Sequence, residues 1–307
     1  MDGDGICDNL DADKDGDGIL NDYDARPCSV MTFGYIPSLF TLYDFHVVGD
    51  QAKCTDVLGT ANVSWAFGDQ GIDRPEGKTD ILLTNVEHNN GDLIIVGGPA
   101  INPVADEFDR YFGITYYYDP NPYNPIFQIS AEGHTITLDL DYYPSQDVCI
   151  VYLREHNNRT IFLIWGYGWQ GTYAGSLFTS VPQVWNAYSQ EHLLLLQWNG
   201  INANGFVEFS EIHPENVAEN PVSPPLPGTP YLVTPIFGNI PSLFGGFAFH
   251  VVGDQAKCTD VLGTANLSWI FGFNTIEMPE GRTDRILLYP EHQTGNLLIT
   301  GGLLLIH

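Results

Sequence analysis

The sequence predicts an α+β (or α/β) domain with a largely β core, an N-terminal calcium-loop segment and a partial, mostly β second copy of the domain. Three observations lead to this prediction. Short segments rich in β-branched and aromatic residues alternate with polar turns that contain glycine. A helix start signal, Asn102 followed by Pro103, interrupts these segments. The eighteen residues FHVVGDQAKCTDVLGTAN occur twice, at 45–62 and at 249–266.

The repeat keeps a constant offset of 204 positions, which also relates IPSLF at 36 to 240 and the Gly-Gly pair at 97 to 301. Counterparts of residues 104–214 do not follow, so we expect the second copy to be a truncated domain. A half-domain does not normally bury enough apolar surface to offset its ordering entropy. It is therefore expected either to form a compact subdomain or to be completed by another molecule.

The composition divides the chain into four parts. A proline-rich stretch separates the complete domain from the second copy and reads as a semi-rigid linker. The predicted parts are an acidic calcium-binding segment (1–32), the complete domain (33–215), the linker (216–235) and the truncated second copy (236–307).

Charge excludes several classes of partner. The 38 acidic and 11 basic residues give a net charge of −27, which argues against nucleic acid and anionic membranes. The longest apolar runs, such as LLLLQW at 193–198, are far shorter than the roughly 20 residues that cross a bilayer. We therefore expect no transmembrane segment.

The first half of the complete domain is predicted to contain four strands and one helix. Asn89-Asn90-Gly91 is typical of a hairpin turn. Asn102 is expected to cap a helix that Gly113 ends. The strands are predicted at 45–48, 61–67, 81–84 and 92–96.

The second half is predicted to return to strands, with a buried hairpin that turns at Asn157-Asn158. Helical turns are expected at 173–178 and 184–188. The predicted strands are 116–118, 127–130, 135–141, 149–153, 160–165, 193–198 and 206–211.

The N-terminal segment has the spacing of a calcium loop. Oxygen-bearing side chains stand at loop positions 1, 3, 5, 9 and 12, with Gly18 at position 6, a pattern that wraps a hard cation in carboxylate and carbonyl oxygens. A solvated acidic linker would not explain the glycine register. The predicted ligands are Asp13, Asp15, Asp17, Asn21 and Asp24, and a partial upstream loop contributes Asp2, Asp4, Asp8 and Asp11.

The cysteines suggest an oxidising compartment. If Cys54 pairs with Cys149, then Cys258, the repeat equivalent of Cys54, is left unpaired or forms an intermolecular bridge. The alternative is a cytosolic protein with five buried thiols. Three Asn-x-Ser/Thr sequons favour an extracellular glycoprotein over that alternative, and they predict glycans at Asn62, Asn158 and Asn266.

Other chemistry has weaker support, and no catalytic residue is predicted. Gly97-Gly98 fits close strand-to-helix packing better than anion binding. His46 and His250 alternate with apolar neighbours, which favours half-buried histidines over a catalytic dyad. The aromatic residues Trp165, Tyr167, Trp169 and Tyr173 could stack on sugars, but packing is favoured. We expect a protein that is not an enzyme.

Two stretches resemble known families. The acidic loops of residues 1–28 resemble thrombospondin type 3 repeats, and by that resemblance Cys7 and Cys28 bridge. LIIVGGPAINPVADEF at 93–108 and CIVYLREHNNRTIFLIWGYGWQGTYAGSLF at 149–178 resemble an archaeal surface-layer (S-layer) domain. The resemblance implies a self-assembling cell-surface lattice or extracellular filament. The alternatives are a calcium-dependent adhesin or glycan-binding module and, more weakly, a secreted hydrolase fragment.

The C-terminal stretch LLITGGLLLI is predicted to recruit a neighbouring subunit. Leu303 and Ile306 replace Pro99 and Asn102 of the first copy, so the helix start signal is lost. An apolar strand without a covering helix is expected to pair with another chain, which predicts a homo-oligomer or polymer. The predicted assembly residues are Leu297, Leu298, Ile299, Leu303, Leu304, Leu305 and Ile306.

Overall fold

A computed structural model describes residues 31–40, 43–200, 206–220, 222, 248–252, 258–274, 276, 278–283 and 296–300. In this part of the chain, helices pack around a large β-sheet and two smaller ones, the mixed α/β composition expected from the sequence. The acidic segment with the predicted calcium loops, Cys7 and Cys28, most of the linker and the residues after Thr300 lie outside the described residues.

The first unit comprises the described residues between 31 and 222. Its elements, in chain order, are α1 (Ile36–Leu39), β1 (Asp44–Val48), α2 (Cys54–Asp69), β2 (Glu76–Thr79), α3 (Asn85–Asn90), β3 (Asp92–Val96), α4 (Pro103–Tyr111), β4 (Thr115–Asp119), β5 (Ile126–Ala131), β6 (His134–Asp139), β7 (Gln146–Glu155), β8 (Thr160–Gly166), α5 (Trp169–Thr179), α6 (Pro182–Ala187), β9 (Leu193–Asn199) and β10 (Ile212–Pro214).

Seven of these strands form one mixed sheet with the order β10-β9-β7-β8-β3-β1-β2. Strands β2, β1, β3 and β8 are parallel, whereas β8, β7, β9 and β10 are antiparallel. Strands β4, β5 and β6 form a separate antiparallel sheet. The parallel half therefore needs crossover helices, and the antiparallel half is built from hairpins.

The large sheet separates two apolar cores, because successive side chains of a strand point to opposite faces. Val48 and Val96 belong to a core that includes α2, α5 and α6. Val47 and Ile95 belong to a core formed with α4 and the β4–β5–β6 sheet. Strands covered on both faces read as continuous apolar runs, as β3 and β8 do.

The predicted start of α4 is confirmed. The Oδ1 atom of the buried Asn102 accepts a hydrogen bond from the Val104 backbone at 3.1 Å, and Pro103 occupies the first helical position. The Asn102 amide also lies 3.4 Å from the carbonyl oxygens of Val47 and Val96. This side chain thus caps α4 and ties it to the ends of β1 and β3.

The hairpin of β7 and β8 is also confirmed. The two strands pair in antiparallel register from Cys149 opposite Gly166 to Glu155 opposite Thr160. Asn157 and Asn158 adopt positive φ angles of 54° and 60°, which asparagine tolerates in tight turns.

Four sequence predictions are wrong. Residues 61–67 were expected to form a strand but lie inside α2. This helix contacts the sheet, α5 and the helix of the second copy, so apolar residues occur on several of its sides and no amphipathic stripe marks it as helical. Residues 81–84 form a turn, and 206–211 end in a short 3₁₀ helix. Asn89-Asn90-Gly91 does not close a hairpin, because a Thr84–Glu87 capping box starts α3 there.

The second copy comprises the described residues from 248 onward. Its elements are β11 (Ala248–Val252), α7 (Cys258–Phe273), β12 (Glu280–Thr283) and β13 (Asn296–Thr300). β11 lies between β12 and β13, parallel to both. Phe249 is paired with Glu280 and Leu297, as its equivalent in β1 is paired with Glu76 and Leu93.

Among the described residues, no helix combines the length and apolar character that crossing a bilayer requires.

Candidate functional site

The candidate site is the contact between the two repeated helices, α2 and α7, which pack extensively on each other. Both helices end in the same pattern, Ser-Trp-x-Phe-Gly, with Trp65 and Gly68 in α2 and Trp269 and Gly272 in α7. The contact is thus made by equivalent residues of the two copies.

The two glycines allow the helix backbones to approach closely. A Cβ atom placed on Gly68 would lie 2.1 Å from the carbonyl oxygen of Trp269. A Cβ atom placed on Gly272 would lie 1.9 Å from the carbonyl oxygen of Trp65. Since real Cβ atoms do not come this close to backbone oxygen, only glycine fits either position.

The two tryptophans donate reciprocal hydrogen bonds across the contact. Trp65 Nε1 donates to the carbonyl oxygen of Ile276 at 2.8 Å. Trp269 Nε1 donates to the carbonyl oxygen of Ile72 at 2.9 Å. Ile72 and Ile276 are themselves repeat equivalents, so one hydrogen bond is the image of the other.

The outer parts of the contact show the same reciprocity. A Cβ atom on Gly77 of β2 would lie 3.3 Å from the Leu262 side chain of α7. A Cβ atom on Gly281 of β12 would lie 3.2 Å from the Leu58 side chain of α2. Residue i of one copy contacts residue j of the other, and j contacts i, as in a two-fold symmetric interface. The contact surface is therefore self-complementary.

A buried serine–histidine pair lies beneath the contact in each copy. Ser64 Oγ is 2.7 Å from His46 Nε2, and Ser268 Oγ is 2.9 Å from His250 Nε2. Desolvation lowers the pKa of His46 to about 3 and that of His250 to about 4. Both imidazoles are therefore neutral at physiological pH.

These pairs have a structural role rather than the geometry of a catalytic dyad. Both histidines are at most 1 % exposed, which keeps substrate away from them. The Nδ1 atom of each has no hydrogen-bond partner among the described residues, so no third group orients the ring. Sequence reasoning missed the serine partners, although the same spacing of eighteen residues between histidine and serine occurs in both copies.

The Gly97-Gly98 loop fills the crevice at the ends of β1 and β3. Open parallel sheets bind ligands at such a point, where the chain leaves adjacent strands in opposite directions. Here a Cβ atom on Gly49 would lie only 1.9 Å from the carbonyl oxygen of Ile101, and Gly97 has a φ of 102°. The glycines thus serve close packing of the β3–α4 loop.

Of the four proposed sugar-stacking aromatic residues, Trp165 and Tyr173 are buried, whereas Tyr167 and Trp169 are partly buried against the cores. Trp165 is 1 % exposed, and its Nε1 donates to Asp109 Oδ1 at 3.1 Å. Tyr173 is buried, and the Tyr167 ring packs 4.7 Å from Phe127. This is the packing role favoured from the sequence.

Asp109 on α4 is a buried carboxyl group that sequence reasoning did not single out. Its Oδ2 atom has no hydrogen-bond partner in the described part of the chain. Desolvation raises the pKa of Asp109 to about 7, although the hydrogen bond from Trp165 opposes that shift. No described residue offers it a nearby cation, and the group serves as an acceptor for an indole N–H.

The bridge proposed between Cys54 and Cys149 is not formed in the structure, where both residues are buried thiols. The Cys149 sulfur packs against Gly175 of α5, and desolvation raises the pKa of this thiol well above its ordinary value. Cys258 is the first residue of α7, and its side chain is not among those described.

The three sequons differ in accessibility. Asn158 is exposed at the β7–β8 turn, and Asn266 is exposed on α7. Asn62 is 2 % exposed, and its Nδ2 atom, the point of glycan attachment, is fully buried within α2. The expectation of a glycan at Asn62 is therefore corrected, because the folded first unit leaves no room for one.

Only some of the other predicted site residues are among those that the structure describes. Asp2, Asp4, Asp8, Asp11, Asp13, Asp15, Asp17, Asn21 and Asp24 lie outside the described residues. Among the residues that are described, no group of three His, Cys, Asp or Glu side chains could hold a metal ion. Leu297, Leu298 and Ile299 lie on β13, whereas 303–306 fall beyond the described part.

Comparison of the chain with models of protein families, with curated proteins and with solved structures finds no match.

Proposed function

We propose that this chain is an extracellular structural protein of the S-layer type, which self-associates into a cell-surface lattice or filament. Calcium and disulfides brace its N-terminal segment, and it is not an enzyme. The observation that carries the proposal is the difference between β3 of the first unit and its repeat equivalent β13.

Strand β3 is paired on both edges, with β1 and with β8. Strand β13 is paired with β11, and within the described residues no strand lies along its other edge. Ile95 on β3 is fully buried, while its equivalent Ile299 on β13 is 72 % exposed. An apolar strand with an open edge is a template for pairing with another chain.

The adjacent face of α7 is open as well. In the first unit, α5 packs on α2 so closely that a Cβ atom on Gly59 would lie 2.4 Å from Ser176 Oγ. A Cβ atom on the equivalent Gly263 would meet no atom within 4 Å. Ile270 and Phe273, farther along α7, are 41 % and 58 % exposed. Within the described residues, the surface that holds β8 and α5 in the first unit is thus uncovered on the second copy.

In this proposal, a neighbouring molecule supplies the strand and the helix that complete the second copy. Backbone hydrogen bonds along β13 provide affinity, and side chains that fit the α7 face provide specificity. Calcium in the N-terminal loops neutralises carboxylates that otherwise repel one another, which stiffens that segment.

The test is Ile299→Lys, which places a charge on an exposed face of the edge strand β13, where lysine opposes pairing with another chain, without disturbing a buried contact. Electron microscopy and sedimentation should show assemblies of the parent chain and smaller species of the variant. The matched control is Ile81→Lys, since Ile81 is 69 % exposed in the first unit and lies in a turn rather than on a strand edge. Assemblies of unchanged size and geometry in Ile299→Lys would overturn the proposal.

The calcium component is tested separately by adding a chelator to preformed assemblies. Loss of order that calcium restores is expected, because extracellular sites of this kind bind at about 10⁻⁴ to 10⁻³ M. A titration calorimetry experiment that gives no calcium heat for the parent chain would remove calcium from the proposal.

A second candidate is a calcium-dependent adhesin or glycan-binding module. It is favoured by the exposed tyrosines on and after β4, namely Tyr116, Tyr117, Tyr118 and Tyr123, which are between 51 % and 93 % exposed. Exposed flat rings can stack on sugars. Retention on a glycan array by a chain that stays monomeric would favour this candidate over the structural one.

A further inference from the structure

We propose that the contact between α2 and α7 is an exchangeable joint, so that α7 of one molecule docks on α2 of a second copy of this chain. The inference deepens the proposed function, on which it rests, by adding a second mode of self-association. It uses a different surface from β13.

The contact surfaces of the two copies are interchangeable in their chemistry. Each tryptophan donates to an isoleucine carbonyl oxygen of the other copy, and each glycine lies under a backbone oxygen. The same residue types therefore meet whether α7 belongs to the same chain or to another. The equivalent pairs are Leu58 and Leu262, Trp65 and Trp269, Gly68 and Gly272, Ile72 and Ile276, and Gly77 and Gly281.

The segment that joins the first unit to the second copy is long enough to permit exchange of α7 between chains. Residues 221–247 join the first unit to β11, and a chain of this length spans at most roughly 90 Å when extended. Exchange of an identical element between protomers costs little, because the closed and exchanged forms contain the same contacts. The connection thus allows α7 to reach either its own α2 or that of a neighbour.

Concentration decides which form predominates. A partner held in the same chain has an effective concentration of order millimolar, so dilute chains stay closed. Chains packed at a surface reach comparable local concentrations and can exchange. Reciprocal exchange gives a closed dimer, whereas sequential docking of α7 on the next α2 gives an open chain of subunits.

The experiment uses full-length chains in which one partner of the joint is damaged. Gly68→Arg removes the α2 surface but keeps α7, and Gly272→Arg removes the α7 surface but keeps α2. Neither chain can close internally, so the intact α7 of one should dock on the intact α2 of the other. Every chain also carries Ile299→Lys, which removes pairing along β13 as a cause of association.

Affinity-tagged Gly68→Arg is mixed with untagged Gly272→Arg at micromolar concentration, and the retained partner is quantified. Retention should exceed that of the doubly damaged chain (Gly68→Arg with Gly272→Arg) by about 10²-fold, since the internal competitor is absent. Tagged Gly263→Arg is the matched control: its site on α7 faces open space, so this chain should stay closed and retain little partner.

Folding of each variant is checked by circular dichroism. If the arginine variants do not fold, Gly68→Ala and Gly272→Ala replace them, because a methyl group at these positions also clashes with the facing backbone. Retention no greater than that of the doubly damaged chain overturns the joint. Because the chains that are compared all carry Ile299→Lys, the difference in retention between them does not depend on whether that substitution abolishes assembly.

Discussion

The first unit and the second copy contain the same eighteen residues in different surroundings. Each forms a parallel strand pair, a helix of sixteen residues and a buried serine–histidine contact. Equivalent side chains nevertheless differ in burial, since Asn62 is buried whereas its repeat equivalent Asn266 is exposed. Local sequence therefore sets strand, helix and register here, while the elements packed around them decide which side chains reach solvent.

The largest expected effect comes from placing the same charge at equivalent strand positions. Ile95→Lys should unfold the first unit or cost more than about 4 kcal/mol, because it buries an unpaired ammonium group in a packed core. Ile299→Lys should change the free energy of unfolding by about 0.5 kcal/mol or less, since the side chain is largely solvated. Thermal unfolding followed by circular dichroism measures both.

A similar loss of stability in the two lysine variants would contradict this contrast. It would mean that β13 is covered as fully as β3.

A smaller difference is expected for the equivalent helix glycines. Gly59→Leu should destabilise the first unit by about 1–3 kcal/mol, because the added side chain overpacks against Ser176 of α5. Gly263→Leu should have little effect or stabilise α7, since leucine is a better helix former than glycine and meets open space. Chemical denaturation of the two variants measures the difference, and equal losses would contradict it.

The two buried histidines should make the protein sensitive to acid. Their folded-state pKa values lie below the ordinary 6.5, so the unfolded chain binds more protons as pH falls. Stability is therefore present above about pH 6.5 and is lost as pH falls towards about 4 for His250 and about 3 for His46. Each histidine should cost about 2 kcal/mol between pH 6.5 and 5.

Denaturation of His46→Asn and His250→Asn across this range checks the prediction, with the exposed His134→Asn as control. Each buried-site variant should lose part of the acid slope of the parent chain. The contribution of Asp109 to the pH dependence of stability has the opposite sign. Its raised pKa of about 7 makes the fold lose stability as pH rises from about 4 to 7. Comparison with the parent at each pH removes that contribution, and unchanged slopes in both histidine variants would contradict the assignment.

The smallest expected effect is on glycan occupancy. Occupancy should differ between equivalent sequons, while the fold does not change measurably. Material from a glycosylating host should carry a glycan at the exposed Asn266 and at the exposed Asn158, and none at Asn62, the repeat equivalent of Asn266. Glycopeptide mass spectrometry gives the occupancy at each site. A modified Asn62 in folded material would contradict the prediction, because the packed α2 leaves no room for a glycan there.

Sequence reasoning was most successful where a local signal has one structural solution. Asn102-Pro103 gave the start of α4, and Asn157-Asn158 gave the β7–β8 turn. It failed for α2, because a helix covered on several sides lacks the periodicity that identifies helices. The Trp-x-x-Gly pattern was visible in the repeat, but its role required knowing which helix faces it.

Local chemistry was enough for the repeat register, the cap of α4 and the β7–β8 turn, since each depends on near neighbours in the chain. Tertiary packing alone decided the mutual contact of α2 and α7, the burial of Asn62 and the neutral state of His46. Those properties arise from segments far apart in sequence, and desolvation and backbone approach depend on which atoms meet in space.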